Sequence, residues 1–186
     1  MAKKNKGLEN NILLKSEVLN ELSNGTDRSK VIVGATIIET QLERILEKYL
    51  VKNNKIQKDT FSFNGFLGTF SAKINACFML GLISKELYND IQRLRGLRND
   101  FAHNLESRSL ENEETKEEVH KFKMFKDCFN SDWDKQPTAI IFGIEVSVLY
   151  VALIKMTTRI ETIPTKEYEI WDLAFDEKDY EYLKGK

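Results

Sequence analysis

Apolar residues recur at steps of three to five along almost the whole chain, the spacing that lines one face of a helix. Leu8, Ile12, Leu13, Val18, Leu19 and Leu22 begin the pattern, and Asn24-Gly25 closes it. Thr26 or Asp27 caps a second, longer helix whose inner stripe reads Val31, Ala35, Ile38, Leu42, Ile45, Leu46 and Tyr49. The stretch from Lys52 to Asn64 has no period and is expected to be a loop. Phe66 to Leu80 resumes the helical spacing with Leu67, Phe70, Ile74, Cys77 and Phe78, and Gly81 stands in a C-cap position. Ser84 then opens a helix that keeps Leu87, Ile91, Leu94 and Leu97 on one face and runs towards His103. Thr115 and Glu118 have capping-box spacing ahead of a stripe of Val119, Phe122, Phe125 and Phe129. Pro137 suits the first position of a last helix.

That last segment, Ala139 to Ile154, is apolar nearly all round and is expected at the centre of the core. Its β-branched residues would also suit a strand, but its length and its continuation through Lys155, Met156 and Arg159 favour a helix. It contains Glu145 and Ser147 and falls short of the ~20 residues that span a bilayer, so no membrane association is expected. Two prolines and nine glycines in 186 residues are too few for a loop-rich sandwich. The sequence therefore predicts an all-α single domain of five to seven helices over residues 1–164, followed by an acidic, aromatic tail over 165–186. The tail carries Tyr168, Trp171, Phe175, Tyr180 and Tyr182 and is expected to pack back on its own domain.

The charges nearly cancel, with 28 basic against 29 acidic residues. A global polycation that coats nucleic acid is excluded, while a local basic site is not. The first half is net positive and the second net negative, a polarity that suits self-association or simply a solvated surface. Cys77 and Cys128 stand far apart with no CxxC spacing and few histidines nearby, so no metal site or other cofactor is expected. They read as reduced thiols of a cytoplasmic protein. His120, on an acidic helix, is expected at the surface, and Trp133 between Asp132 and Asp134 in a surface turn. Gly65 and Gly68 flank a loop that leads into a helix and lack the lysine of a phosphate cradle.

One segment gathers chemistry: Arg95, Arg98, Asn99, Asp100 and His103 close the helix that Ser84 opens. An arginine and a histidine five positions apart lie about 140° round an ideal helix, so they converge only if the helix frays or two copies meet. Brought together, they suit RNA cleavage without metal. His103 would do acid–base work on the ribose 2′-hydroxyl or the leaving 5′-oxygen. Arg98, with Arg95, would hold the scissile phosphate. Asn99 or Asp100 would orient the imidazole. The same residues have a structural reading, in which His103 interacts with the helix dipole and Arg98 pairs with Glu106 or another acidic residue.

The arginine-to-histidine spacing, with asparagine directly after the arginine, resembles the RxxxxH signature of the HEPN superfamily. Many of its members are dimeric, metal-independent endoribonucleases of toxin–antitoxin and phage-defence systems. A longer series of blocks is similar to the mannitol operon repressor (MltR) family. Thr26-Asp27-Arg28, Leu67 to Ile74, Leu80-Gly81-Leu82-Ile83-Ser84 and Arg98-Asn99-Asp100-Phe101-Ala102-His103 follow in that order, within a resemblance covering roughly residues 10–160. It implies an all-helical fold and a bacterial cytosolic regulator without a known DNA-reading element. The sequence agrees, since no helix-turn-helix with a basic, amide-rich second helix is visible. The expectation is a homodimeric regulator acting through an unidentified protein partner and not by direct sequence-specific DNA binding, with RNA as the alternative partner.

Overall fold

A computed structural model describes residues 16–103, 108–124 and 135–166. Among them are seven helices: α1 (Ser16–Asn24), α2 (Asp27–Tyr49), α3 (Asn54–Phe61), α4 (Phe70–Met79), α5 (Lys85–His103), α6 (Glu113–His120) and α7 (Thr138–Arg159). No strand occurs among the described residues. The all-α expectation holds, and the β-branched middle of α7 is helical.

Helix starts follow one local rule. Thr26, Asn53, Thr69 and Ser84 each accept a hydrogen bond from the backbone amide three residues on, at 3.1–3.2 Å. Each side chain thus satisfies one of the donors a helix N-terminus leaves over. The α4 end is a Schellman arrangement. Gly81 takes φ +69°, its amide bonds Phe78 O at 2.9 Å, and the Leu82 amide bonds Cys77 O at 2.8 Å.

The core forms where α7 lies on α2. Along α7, Thr138, Ile141, Phe142, Glu145, Val146, Leu149, Tyr150 and Leu153 are buried, a stripe at steps of three and four. It packs on α2, where Gly34 faces Phe142 and Val146 and Gln41 bonds Thr157. Val31, Ala35, Ile38, Leu42 and Ile45 of α2 are buried in the same core. A Cβ on Gly34 would come within 3.1 Å of Val146, so the missing side chain lets the two helices close up. By length and composition α7 could cross a membrane, being longer than its apolar stretch suggested. In this fold its inner stripe packs against protein, and Ile140 and Val151 on the outer face are each 48% exposed.

The C-terminal end of α2 has a complete account of its last four carbonyls. Leu50 N bonds Leu46 O at 2.9 Å, and Lys52 Nζ and Gln57 Nε2 bond Glu47 O. Thr162 Oγ1 bonds Lys48 O at 2.7 Å, and Ile163 N bonds Tyr49 O at 2.8 Å. The segment after α7 therefore caps α2 and fixes the end of the helical body.

Three carboxylates bind the 108–124 segment to the rest. Asp27 accepts from Ser109 Oγ and Leu110 N at 2.8 and 2.9 Å. The fully buried Asp90 accepts from Lys123 N and Met124 N, both at 2.9 Å. Glu111 accepts from Thr138 Oγ1 and Ala139 N at 3.0 and 3.2 Å, supplying the cap that Pro137 cannot. Burial pushes the Asp90 carboxyl above the ordinary aspartate range, against its two backbone hydrogen bonds and nearby Arg93.

Four expectations need correction. Residues 54–61 form α3 rather than a loop. Only Thr60 is buried there and Ile56 is 62% exposed, so no apolar stripe announced it. Thr115 lies buried inside α6 instead of capping it, because the helix starts two residues earlier behind Asn112. The stripe continuing to Phe122 is interrupted, since α6 ends at His120; Phe122 is buried just beyond it. Pro137 is the residue before α7 rather than its first. Phe125, Cys128, Phe129, Trp133 and the 165–186 tail, apart from Thr165 and Lys166, lie outside the described residues, as does Glu106.

Candidate functional site

The site begins with a tightly wound loop. Between α3 and α4, Gly65 N bonds Ser62 O, Leu67 N bonds Thr60 O and Gly68 N bonds Gly65 O, at 2.8–3.0 Å. A Cβ on Gly68 would run into the Ser62 carbonyl, so the loop closes only on glycine. This closure buries Leu67 and turns the Phe63 ring outwards, 89% exposed. It also sets the N-terminus of α4, with Thr69, Phe70 and Ser71, opposite the middle of α5.

A cleft of about 410 Å³ results. Arg95, Arg98 and Asn99 of α5 form one wall. Thr69, Phe70 and Ser71 form the other, with Phe63 and Gly68 of the loop and Glu39 of α2. Arg95 Nε donates to Gln92 Oε1 at 2.8 Å, and Arg98 Nη1 donates to Asn99 Oδ1 at 3.1 Å. Neither guanidinium has a carboxylate partner among the described residues. Glu39 is engaged elsewhere: Lys73 Nζ lies 3.0 Å from its Oε1 and 2.7 Å from Glu43 Oε2. Burial works against the Lys73 ammonium, but its hydrogen bonds and charge attraction to the two carboxylates outweigh this and raise its pKa.

His103 does not line this cleft. It is the exposed last residue of α5, which stays helical through it, so the 140° divergence from Arg98 persists within one chain. Asp100 is exposed and pairs with Arg108 at 3.8 Å. Asn99 is engaged by Arg98 and is not bonded to the imidazole. Phe101 is fully buried between them and anchors the motif to the core. The structure thus groups Arg95, Arg98 and Asn99 and leaves His103 apart.

Round the same helix is a second groove of about 600 Å³, lined by Gln92, Arg93, Gly96, Asp100, Glu118 and Lys121 among others. Its charges are mixed, and Arg93 and Lys121 each have a carboxylate nearby. Among the described residues no group of three or more His, Cys, Asp or Glu side chains could hold a metal ion. His120 is half-buried rather than fully exposed.

Sequence reasoning found the arginine wall but missed the opposite one. Lys73 lies on α4 and Glu39 and Glu43 on α2, and spacing along the chain does not connect the two helices. The cleft's other side depends on the loop geometry at Gly68, which no periodicity carries.

The comparisons with known proteins bear on the whole helical body. A search of curated sequences gives no match. A solved chain in the X-ray structure of the MtlR–HPr complex from Escherichia coli is similar, with a TM-score of 0.61 at 17% identity. The match covers 82% of this chain and 99% of that one. At that identity the likeness shows a shared helical fold. The family model described as MtlR, mannitol repressor, matches residues 14–148, from the start of α1 into α7. The chain belongs to the mannitol repressor family.

Proposed function

We propose that this chain is a regulatory protein of the mannitol repressor type that acts by docking a protein partner rather than by reading DNA itself. The observation that carries this reading is the family match across the helical body. The structural neighbour, solved as an MtlR–HPr complex, supports a protein of HPr type as the partner class. The near-zero net charge supports it too, because DNA binding at physiological salt rests on phosphate neutralisation. In this reading the protein is a cytoplasmic homodimer, supported by the apolar outer face of α7 at Ile140 and Val151. The test is titration calorimetry of the full chain with purified HPr from the same organism. A saturable complex is expected; no heat at concentrations well above micromolar overturns the reading.

A second reading is favoured by one observation: Arg98 lacks a carboxylate partner among the described residues and, like His103, is exposed. This is a metal-independent endoribonuclease of HEPN type. The ribose 2′-oxygen bonds to phosphorus as the P–O5′ bond breaks, and His103 takes up the 2′ proton or supplies the one the 5′-oxygen receives. Arg95 and Arg98 hold the phosphate. Since Arg98 and His103 diverge on α5, His103 of a second copy would complete the site. Incubation with mixed RNA in EDTA tests it. Cleavage lost in Arg98→Ala and His103→Ala, with melting temperatures kept, supports the nuclease; intact RNA with wild-type protein removes it.

A further inference from the structure

We propose that the cleft between α4 and α5 binds the phosphate group of a small phosphate monoester, making it an effector site on the regulator. Arg95 and Arg98 place two permanent positive charges on one wall, with no carboxylate pairing either among the described residues. Each guanidinium uses one N–H within α5 and keeps further donors in a planar fork that matches phosphate oxygens. Two such charges suit a phosphate monoester, which carries about −1.5 to −2 at neutral pH, better than they suit a single carboxylate.

The facing wall adds donors of a different kind. Thr69 Oγ1 satisfies the Ala72 amide. The amides of Phe70 and Ser71, at the first two positions of α4, receive no bond from that cap. They belong to the helix end where partial positive charge gathers. Ser71 contributes a hydroxyl to the same wall. Glu39 also lines the cleft and shares Lys73 with Glu43, so that trio keeps one negative charge, which the two arginines outweigh.

The volume and the remaining lining set the size of the ligand. About 410 Å³ lies in the range that holds a small molecule. The exposed Phe63 ring, an apolar wall beside the arginines, covers the organic part of the ester. The effector role rests on the regulator reading above, whereas phosphate binding itself is tested apart from any protein partner and from His103, which lies outside the cleft.

The test uses the 15N-labelled full chain titrated with glycerol 3-phosphate at constant ionic strength, with glycerol as the control. The expected result is a saturable shift of the Phe70 and Ser71 amide signals. The dissociation constant should rise at least tenfold in Arg98→Ala and in Arg95→Ala and stay unchanged in Lys155→Ala, an exposed lysine on α7. Arg98 is exposed, so its variant keeps the fold and decides the matter should Arg95→Ala melt. A linear shift without saturation overturns the proposal, as does an equal loss in Lys155→Ala. Saturation by a short RNA but not by glycerol 3-phosphate also overturns it and returns the arginines to the nuclease reading.

Discussion

Glu39 pairs with Lys73 and lines the cleft of Arg98, yet the surroundings of these two cations could hardly differ more. The Lys73 side chain is 6% exposed and held by carboxylates from two turns of α2, at 3.0 and 2.7 Å. Arg98 is exposed and bonds only the neighbouring Asn99 among the described residues. The contrast recurs along α5 itself. Asp90, one face round, is fully buried and holds the backbone at Lys123 and Met124, while Arg95 only touches Gln92. Charges that hold this fold together are buried and tied to other elements. Lys73 is tied to α2, and Asp90 through one oxygen to the backbone at Lys123 and Met124, its other oxygen having only Arg93 at 3.6 Å among the described residues. The two arginines at the cleft have no carboxylate partner among the described residues, and removing them should cost the fold little.

The buried side of the contrast predicts the largest effect. Asp90→Ala removes the buried acceptor of the Lys123 and Met124 amides and should destabilise the protein by about 3 kcal/mol in urea denaturation. Asp90→Asn keeps an acceptor oxygen and removes a buried charge, so its loss should be under about 1 kcal/mol. Equal losses would show that the charge, not the hydrogen bonding, matters at this position.

Lys73→Met should cost about 2 kcal/mol, less than a fully buried pair because Glu39 and Glu43 are 28% and 34% exposed. The pH dependence has a definite sign. The folded pKa is raised above 10.5, so the stabilisation is complete below that value and is lost as pH rises through the folded one. The gap between wild type and Lys73→Met should therefore narrow in alkaline solution, measured by denaturation between pH 8 and 11. A gap that widens there would contradict the ion-pair account.

A smaller, local effect concerns Cys77. Burial pushes its thiol up to about 12, and its Sγ faces Leu42 O at 3.9 Å. In a Cys128→Ser background, the folded protein should resist a thiol reagent at pH 8 and react fully in denaturant. Rapid labelling of the native state would place Cys77 nearer the surface.

How much of this was legible follows from the kind of signal each part leaves. The stripes of α2, α5 and α7 are set by burial on one face, and burial writes itself as period. Caps at Thr26 and Ser84 and the turn at Gly81 are local chemistry and could be read residue by residue. The helix α3 left no stripe because it is solvated almost all round; Asn53, three residues before Ile56, was its only mark. The ties from Asp27, Asp90 and Glu111 join residues 27 to more than 80 positions apart, and spacing along the chain is silent about them. The candidate site was half legible for the same reason. Arg95, Arg98 and Asn99 share one helix, whereas Phe63, Ser71 and Glu39 reach them only through the fold. His103, close in sequence, is kept apart by the helical repeat.

The smallest predicted effect carries the central claim, that the cleft arginines serve contacts outside the chain and not its own stability. Urea denaturation of the Arg95→Ala/Arg98→Ala double variant measures it directly. The account predicts a stability within about 0.5 kcal/mol of wild type, because the only bonds lost among the described residues are local ones within α5, to Gln92 and Asn99. A loss above about 2 kcal/mol would contradict it and make the arginines part of the scaffold, alongside Lys73 and Asp90.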